Sequence, residues 1–137
     1  MEIGFRGFRG TVVLAAAVCA HFARASTWTG NGDGVKWSDA ANWDSAPVKD
    51  SAIIFPGGNS HATVIDAGFA PSRVGSITLD TGFAGSVTLQ RPLTMQGAFT
   101  IKAGTWDQNL NAMTNSGAVS FEGGTYLEPT VLTGVTP

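Results

Sequence analysis

Asp80 and Glu122 are the two carboxylates of this 137-residue sequence whose spacing suggests glycoside hydrolysis, which needs a pair of acids across a cleft. Each follows a short segment of alternating apolar residues, and Lys102 holds the same position in the segment between them. Lys102 and Arg91 are also the nearby cations that a polysaccharide lyase would need to neutralise a uronate. Because Lys102 would separate the two acids on a flat surface, we expect a non-catalytic protein, with a lyase or glycosidase fragment as the weaker alternative.

The segment GNGDG at residues 30–34 matches part of a calcium-loop pattern, with Asn31, Asp33 and Gly34 at its third, fifth and sixth positions. The first and last ligand positions hold residues without a carboxylate, which favours a simple turn. His61 is the only His after residue 25, and no other ligands cluster with it. We therefore expect no metal and no cofactor. Calcium shared by three carboxylates is an alternative that their spacing does not support: Asp33, Asp39 and Asp44.

Three of the four tryptophans lie in one segment rich in Gly, Asn and Asp: Trp28, Trp37 and Trp43. Aromatic faces stack on sugar rings, so an exposed trio would form a carbohydrate-binding platform. The alternative is a structural cap, because Trp buries a large apolar area while only its single N–H needs a partner. The cap needs no ligand and is the preferred interpretation. Packing of the rings on the apolar segment at residues 51–55 would favour it, whereas exposed rings would favour the platform.

Residues 1–25 have the three-part pattern of a secretory signal peptide: a basic start, an apolar run at residues 11–20 and an A-x-A motif ending at Ala25. This apolar run is too short to span a bilayer. The sequence thus predicts export with cleavage after Ala25. The only cysteine, Cys19, lies in this segment, so we expect an exported chain that forms no disulfide.

The rest of the chain, residues 26–137, is long enough for one domain at most. It carries five basic and nine acidic side chains, a net charge of −4, and no basic cluster. A mildly acidic domain of this kind is a poor nucleic-acid binder. No second apolar segment is long enough for a membrane span.

The middle of the chain contains an internal repeat. Its three copies are GSITLDTG (75–82), GAFTIKAGTW (97–106) and GAVSFEGGTY (117–126), and Gly82, Gly104 and Gly124 hold equivalent positions. Apolar and small polar residues alternate within each copy, which is typical of a half-buried strand. In a parallel stack, the copies would align two apolar columns, Ile77/Phe99/Val119 and Leu79/Ile101/Phe121, and one surface ladder of alternating charge, Asp80/Lys102/Glu122.

A repeat of roughly 20–22 residues, built from two or three short strands, predicts an all-β protein in which each copy is one turn of a short parallel β-solenoid. A β-sandwich is the alternative, since its strands have similar spacing. We expect a Trp-rich N-terminal cap at residues 26–46 and solenoid repeats at 47–126. Residues 127–137 are then a tail or the start of a further turn.

The pattern TWTG–x6–W–x4–NW, followed by AP–x2–D–x–AIIF, resembles the N-terminal segment of secreted bacterial passenger regions with autotransporter-associated β-strand repeats. The likeness covers nearly all of the chain after residue 25. It implies a right-handed parallel β-helix that is secreted or held at the bacterial outer-membrane surface, as a stalk, adhesin or sugar-contacting module. The expected function is structural or adhesive, with carbohydrate binding as the alternative. The expected partners are an extracellular polysaccharide, or a second copy of the chain through an open C-terminal rung.

Overall fold

The computed structural model describes residues 24–128, and there the chain is all-β apart from one 3₁₀ turn at Ala40–Asn42. Almost all of the predicted signal peptide, and the tail beyond Glu128, lie outside the described residues. The strands are β1 (Ala25–Thr27), β2 (Ala52–Phe55), β3 (Ala62–Ile65), β4 (Ile77–Leu79), β5 (Ser86–Leu89), β6 (Leu93–Met95), β7 (Phe99–Ile101), β8 (Thr105–Asp107), β9 (Met113–Asn115), β10 (Val119–Phe121) and β11 (Thr125–Leu127).

The strands stack into three parallel sheets that run along the molecule. The first sheet has the order β1-β2-β4-β7-β10, the second β11-β8-β5-β3, and the third contains β6 and β9. Every ladder between these strands is parallel. The chain therefore winds through the sheets for about three turns, which confirms the predicted β-solenoid. The β-sandwich alternative is wrong, because it requires antiparallel neighbours.

The strand register matches the register expected from the repeat. Ile53 pairs with Ile77, which pairs with Phe99, which pairs with Val119. The number of residues between successive members of this column decreases slightly toward the C-terminus. The strands stay aligned because the length change is taken up in the corners between sheets.

Alternation along each strand separates the core from the surface. In β4 the side chains of Ile77 and Leu79 are buried, while Thr78 between them is half-exposed. The same pattern recurs in β7, where Phe99 and Ile101 are buried. Full burial of each side chain of this size stabilises the folded state by roughly 1.5–3 kcal/mol. The hydrophobic core is thus a continuous column enclosed by the three sheets.

A glycine with left-handed backbone closes the corner after the first sheet in each turn. Gly58, Gly82, Gly104 and Gly124 have φ values of 79°, 87°, 77° and 72°. A side chain at such a position would bring its Cβ too close to the backbone, at a cost of roughly 1–2 kcal/mol. The last three of these glycines are the equivalent positions of the sequence repeat, and the left-handed corner is the physical reason for their recurrence.

The N-terminal segment adds one more rung to the solenoid. Strand β1 pairs in parallel with β2, with Ser26 opposite Ile53. Lys36 makes a parallel bridge to Val64 and so extends the second sheet by one position. The cap loop, residues 28–46, crosses the end of the core. The cap is therefore part strand and part loop, and its first strand begins at Ala25.

Candidate functional site

The three clustered tryptophans are packed inside the N-terminal end of the solenoid. Trp28 and Trp37 are each 1% exposed, and Trp43 is 5% exposed. All three contact the ring of Phe55, with centroids 5.4, 5.5 and 5.9 Å away. Trp43 also meets Trp28 and Trp37 edge-on, at 5.0 and 5.3 Å. The rings thus form a plug over the first turn, which is the geometry of a cap.

Hydrogen bonds fix two of these rings in the plug. Trp37 Nε1 donates to Thr63 Oγ1 at 3.1 Å, and Trp43 Nε1 donates to the Trp37 carbonyl at 3.0 Å. Among residues 24–128, Trp28 Nε1 has no such partner. A sugar ring needs an open aromatic face, and these faces are covered by protein. The burial therefore favours the cap over a glycan platform built from the same residues.

Asn42 is the hydrogen-bonding centre of the cap loop. Its side chain is fully buried, and its Oδ1 accepts from the backbone N–H groups of Gly32 and Gly34 at 2.9 and 2.8 Å. Its Nδ2 donates to Asp33 Oδ1 at 2.8 Å and to the Lys36 carbonyl at 2.9 Å. One side chain therefore makes four bonds and holds residues 32–36 across the end of the core. Asn42 is the Asn of the NW pair in the sequence pattern given above, but it was not among the predicted site residues.

The three carboxylates considered for calcium bind backbone N–H groups of the cap instead. Asp33 Oδ1 accepts from Val35 and Lys36 at 2.8 and 2.9 Å. Asp39 caps the 3₁₀ turn through a 3.1 Å bond from Ala41, and its other oxygen accepts from the Asp33 N–H. Asp44 Oδ1 accepts from Thr27 at 2.7 Å. Their hydrogen bonds hold the loop, in which Gly30 and Gly34 have left-handed backbone, with φ values of 70° and 71°.

Asp66 ties the cap to the second sheet. Its carboxylate accepts from the Ser38 N–H at 3.0 Å and from the Ser38 hydroxyl at 2.6 Å. Nearby, the Trp37 N–H donates to the Val64 carbonyl at 3.0 Å. Thr63 completes this junction, because its hydroxyl accepts from Trp37 and donates to the Ser86 carbonyl. The cap is thus bonded to the solenoid as well as packed on it.

His61 also belongs to this packing. Its ring lies edge-on to Trp28 at 6.2 Å, and Nδ1 lies 2.6 Å from Asn59 Oδ1. A Cβ built at Gly30 would lie 2.4 Å from its Cε1 atom, so the ring fills the space under the glycine loop. Within residues 24–128, no three His, Cys, Asp or Glu side chains are placed to hold a metal ion.

Two carboxylates that hold the cap, one within the loop and one beside the second sheet, have lowered pKa values. Asp33 has its pKa held below the ordinary 3.8 by hydrogen bonds, first from the Lys36 N–H, then from Asn42 and Val35. For Asp66, burial raises the pKa, but the bonds from Ser38 and Gly68 outweigh it and the net direction is downward. Both groups therefore stabilise the folded cap in their ionised form.

This leads to a pH prediction. A carboxylate whose folded pKa is depressed contributes stability above its unfolded pKa, and the contribution is lost as pH falls through the folded pKa. We expect the urea midpoint, followed by Trp fluorescence, to stay level above about pH 5 and to fall steadily toward pH 2. Asp33→Asn keeps an acceptor for the turn but removes the charge, so the acid slope should become shallower. An unchanged slope would contradict the conclusion that the ionised Asp33 carboxylate stabilises the folded cap.

One of the two contacts expected in the charge ladder is formed in the described residues. Lys102 Nζ is 3.8 Å from Asp80 Oδ1, with both side chains at the surface. The pairing of Ile101 with Phe121 puts Glu122 beside Lys102 on the next turn. Asp80 and Glu122 are thus two turns apart with a lysine between them. Exposed pairs of this kind contribute only about 0–1 kcal/mol, so the ladder is a minor stabilising feature.

A shallow groove of about 450 Å³ follows the corner between the third and first sheets. Asp50 is the one carboxylate among its lining residues, and Arg73 binds it with two bonds of 2.6 and 3.0 Å. Small and amide residues complete the lining: Gly75, Ser76, Gln96, Gly97 and Ser116. The groove therefore lacks the pair of opposed acids that glycoside hydrolysis uses.

The C-terminal end of the core differs from the capped end. Val119, Phe121 and Leu127 are 53%, 56% and 45% exposed. Phe99 and Ile101, which occupy the same columns one turn earlier, are fully buried. The last described turn thus presents core residues and an unpaired strand edge together, which is typical of a surface that another strand covers.

Comparison of the chain with protein-family models, with curated proteins and with solved structures found no match. In residues 24–128, no helix has the length and apolar character needed to cross a bilayer.

Proposed function

We propose that this protein is a non-catalytic structural module of a secreted or cell-surface β-solenoid, related in kind to the passenger regions that its sequence resembles. The observation that carries the proposal is the difference between its two ends. One end is closed by buried tryptophans, whereas the last turn within residues 24–128 exposes Val119, Phe121 and Leu127. A module with one closed and one open end begins a stack and is continued at its open end.

The open edge has the groups needed to continue a sheet. In a parallel ladder, successive residues direct their backbone groups to opposite sides. The carbonyl of Ala118 and the N–H of Glu122 bond to β7. The backbone groups of Val119 and Phe121 therefore face the open side. A covering strand would gain these hydrogen bonds and also bury the two exposed side chains.

For the isolated protein, the proposed partner is the open end of a second copy. The surface of the other end is a mainly polar loop, in which Asn31 and Asp33 are exposed beside one large apolar side chain, Val35, so head-to-tail contact would leave most of the apolar end unmatched. Antiparallel pairing of two β10 strands about Ser120 sets Val119 opposite Phe121 of the second copy. The same register sets Glu122 opposite Ala118, which keeps the two acids apart. The contact is closed and two-fold, so it yields dimers rather than fibres.

The test is sedimentation of the purified protein over about 1–100 μM, the range in which a small interface associates. We expect a monomer at the low end and a dimer at the high end. Phe121→Lys should remain monomeric throughout. Val48→Lys is the matched control, because Val48 is 45% exposed but lies away from the open end. It should dimerise like the wild type, with circular dichroism showing that both variants are folded.

A wild-type protein that stays monomeric at every concentration would contradict self-pairing of the open rung. Dimerisation that survives Phe121→Lys would place the contact elsewhere on the molecule. Turnover of an acidic polysaccharide by the purified protein would contradict the non-catalytic assignment directly.

A further inference from the structure

The cap loop contains the only Asn-Gly pair and the only Asp-Gly pair of the whole sequence, Asn31-Gly32 and Asp33-Gly34. Such pairs share one chemistry. The glycine nitrogen attacks the side-chain carbonyl carbon of the preceding residue and closes a succinimide ring. Asparagine loses ammonia in this step and aspartate loses water. Hydrolysis of the ring with one water then yields aspartate or isoaspartate. Glycine favours the reaction because it has no side chain to hinder the approach.

Both attacking nitrogens are bound to the same atom. Gly32 N–H and Gly34 N–H donate to Asn42 Oδ1 at 2.9 and 2.8 Å, and Asn42 is fully buried. A backbone nitrogen must give up its proton to attack, and a hydrogen bond to a fixed acceptor opposes that loss. The same bonds hold the nitrogens toward the interior. The Asn31 side chain itself is exposed. Its protection from succinimide formation therefore comes from the position of the Gly32 nitrogen.

The aspartate of the second pair is also held. Its Oδ1 accepts from the N–H groups of Val35 and Lys36 and from Asn42 Nδ2. These bonds keep the carboxylate ionised and directed at the residues that follow Gly34. An ionised carboxylate is a poorer electrophile than the acid. The exposed Asn31-Gly32 pair is therefore the more reactive of the two once the loop opens.

We propose that Asn31-Gly32 is a modification site gated by Asn42: it is protected in the closed cap and converted to aspartate or isoaspartate when the cap opens. Isoaspartate inserts one extra carbon into the backbone between Gly30 and Gly32. The loop is held at both ends of this stretch, since the Gly30 N–H donates to the Asn42 carbonyl at 3.1 Å. The lengthened chain cannot keep all of these bonds, so opening becomes irreversible.

The experiment compares deamidation of the full chain, folded and unfolded in urea, at pH 8.5 and 37 °C. Peptide mapping follows the mass increase on the fragment containing Asn31, and released ammonia is assayed in parallel. We expect the folded protein to react at least about tenfold more slowly, as for a site that reacts only from a locally opened state. Asn31→Gln, an exposed substitution that leaves Asn42 intact, should abolish the signal. Equal rates in the folded and unfolded chain would overturn the proposal.

Hydrogen exchange provides the second measurement. Because both amides share one acceptor, the Gly32 and Gly34 amides should exchange together, and the deamidation rate should rise in step with their opening as temperature is raised. Asn42→Ala should raise both rates toward the unfolded values in any population that circular dichroism shows to be folded. Rapid deamidation of the wild type with slow exchange of Gly32 would contradict gating by Asn42, even if the variant failed to fold.

Discussion

Replacement of Phe55 by alanine is expected to lower the free energy of unfolding by about 4 kcal/mol, the middle of the range for buried aromatics. Phe55 is fully buried, and its ring contacts four others: Trp28, Trp37, Trp43 and Phe83. Its loss removes the surface on which the cap rests and leaves a cavity under three tryptophans. Large rings cannot collapse into such a space without losing their mutual edge contacts.

Urea unfolding of the variant, monitored by Trp fluorescence and by circular dichroism, checks this value. Phe121→Ala is the matched control, because Phe121 lies at the far end of the same column, through Leu79 and Ile101. It is 56% exposed, so its truncation should cost below about 1 kcal/mol at low protein concentration. Similar losses for both phenylalanines would show that the core is not closed at one end and open at the other.

Replacement of Asn42 by alanine is expected to cost about 3 kcal/mol, through broken hydrogen bonds rather than lost apolar area. Four bonds are removed at once, and the Gly34 N–H is left buried with no acceptor. Each buried donor or acceptor without a partner costs roughly 1–3 kcal/mol. The Gly32 N–H is near solvent and can bind water, which offsets part of this cost in free energy.

Equilibrium unfolding in urea measures this loss of stability for Asn42→Ala and, as the matched control, for Asn31→Ala. Asn31 lies in the same loop with its side chain exposed, so its removal should change stability by no more than about 0.5 kcal/mol. The variant Asn42→Asp distinguishes the effect of side-chain size from the effect of the hydrogen-bond pattern. It retains the size of the side chain but places an acceptor opposite Asp33 and the Lys36 carbonyl. A stability of Asn42→Asp close to that of the wild type would contradict the assigned bonding pattern.

These two predictions concern the same end of the molecule and distinguish its two supports. Phe55 provides the apolar surface under the rings, whereas Asn42 holds the loop that carries Trp37 over it. Because the loop held by Asn42 carries two rings that contact Phe55, those of Trp37 and Trp43, the two losses should not be fully additive. Strong coupling between them would indicate that the loop and the ring cluster open as one cooperative unit.

The residues alone were enough to predict the solenoid, with a β-sandwich as the alternative, and the register of its strands. Alternation of apolar and small polar residues reports which face of a strand is buried, and the near-regular interval between the three repeat copies reports which strands stack. Both are local or periodic properties, so they are visible without coordinates. They were sufficient to align Ile77 with Phe99 and Val119, as the strands are paired.

The burial of the tryptophans in a cap is visible only in the folded chain. Residue types allowed Trp28, Trp37 and Trp43 to be either a glycan platform or a plug, since both uses need large aromatic rings. Their burial depends on how residues 28–46 cross the end of the core. That path is set by Asn42, whose four bonds reach partners from six to ten residues away. No periodic pattern records such contacts, because each is made once and is selected by the complete fold.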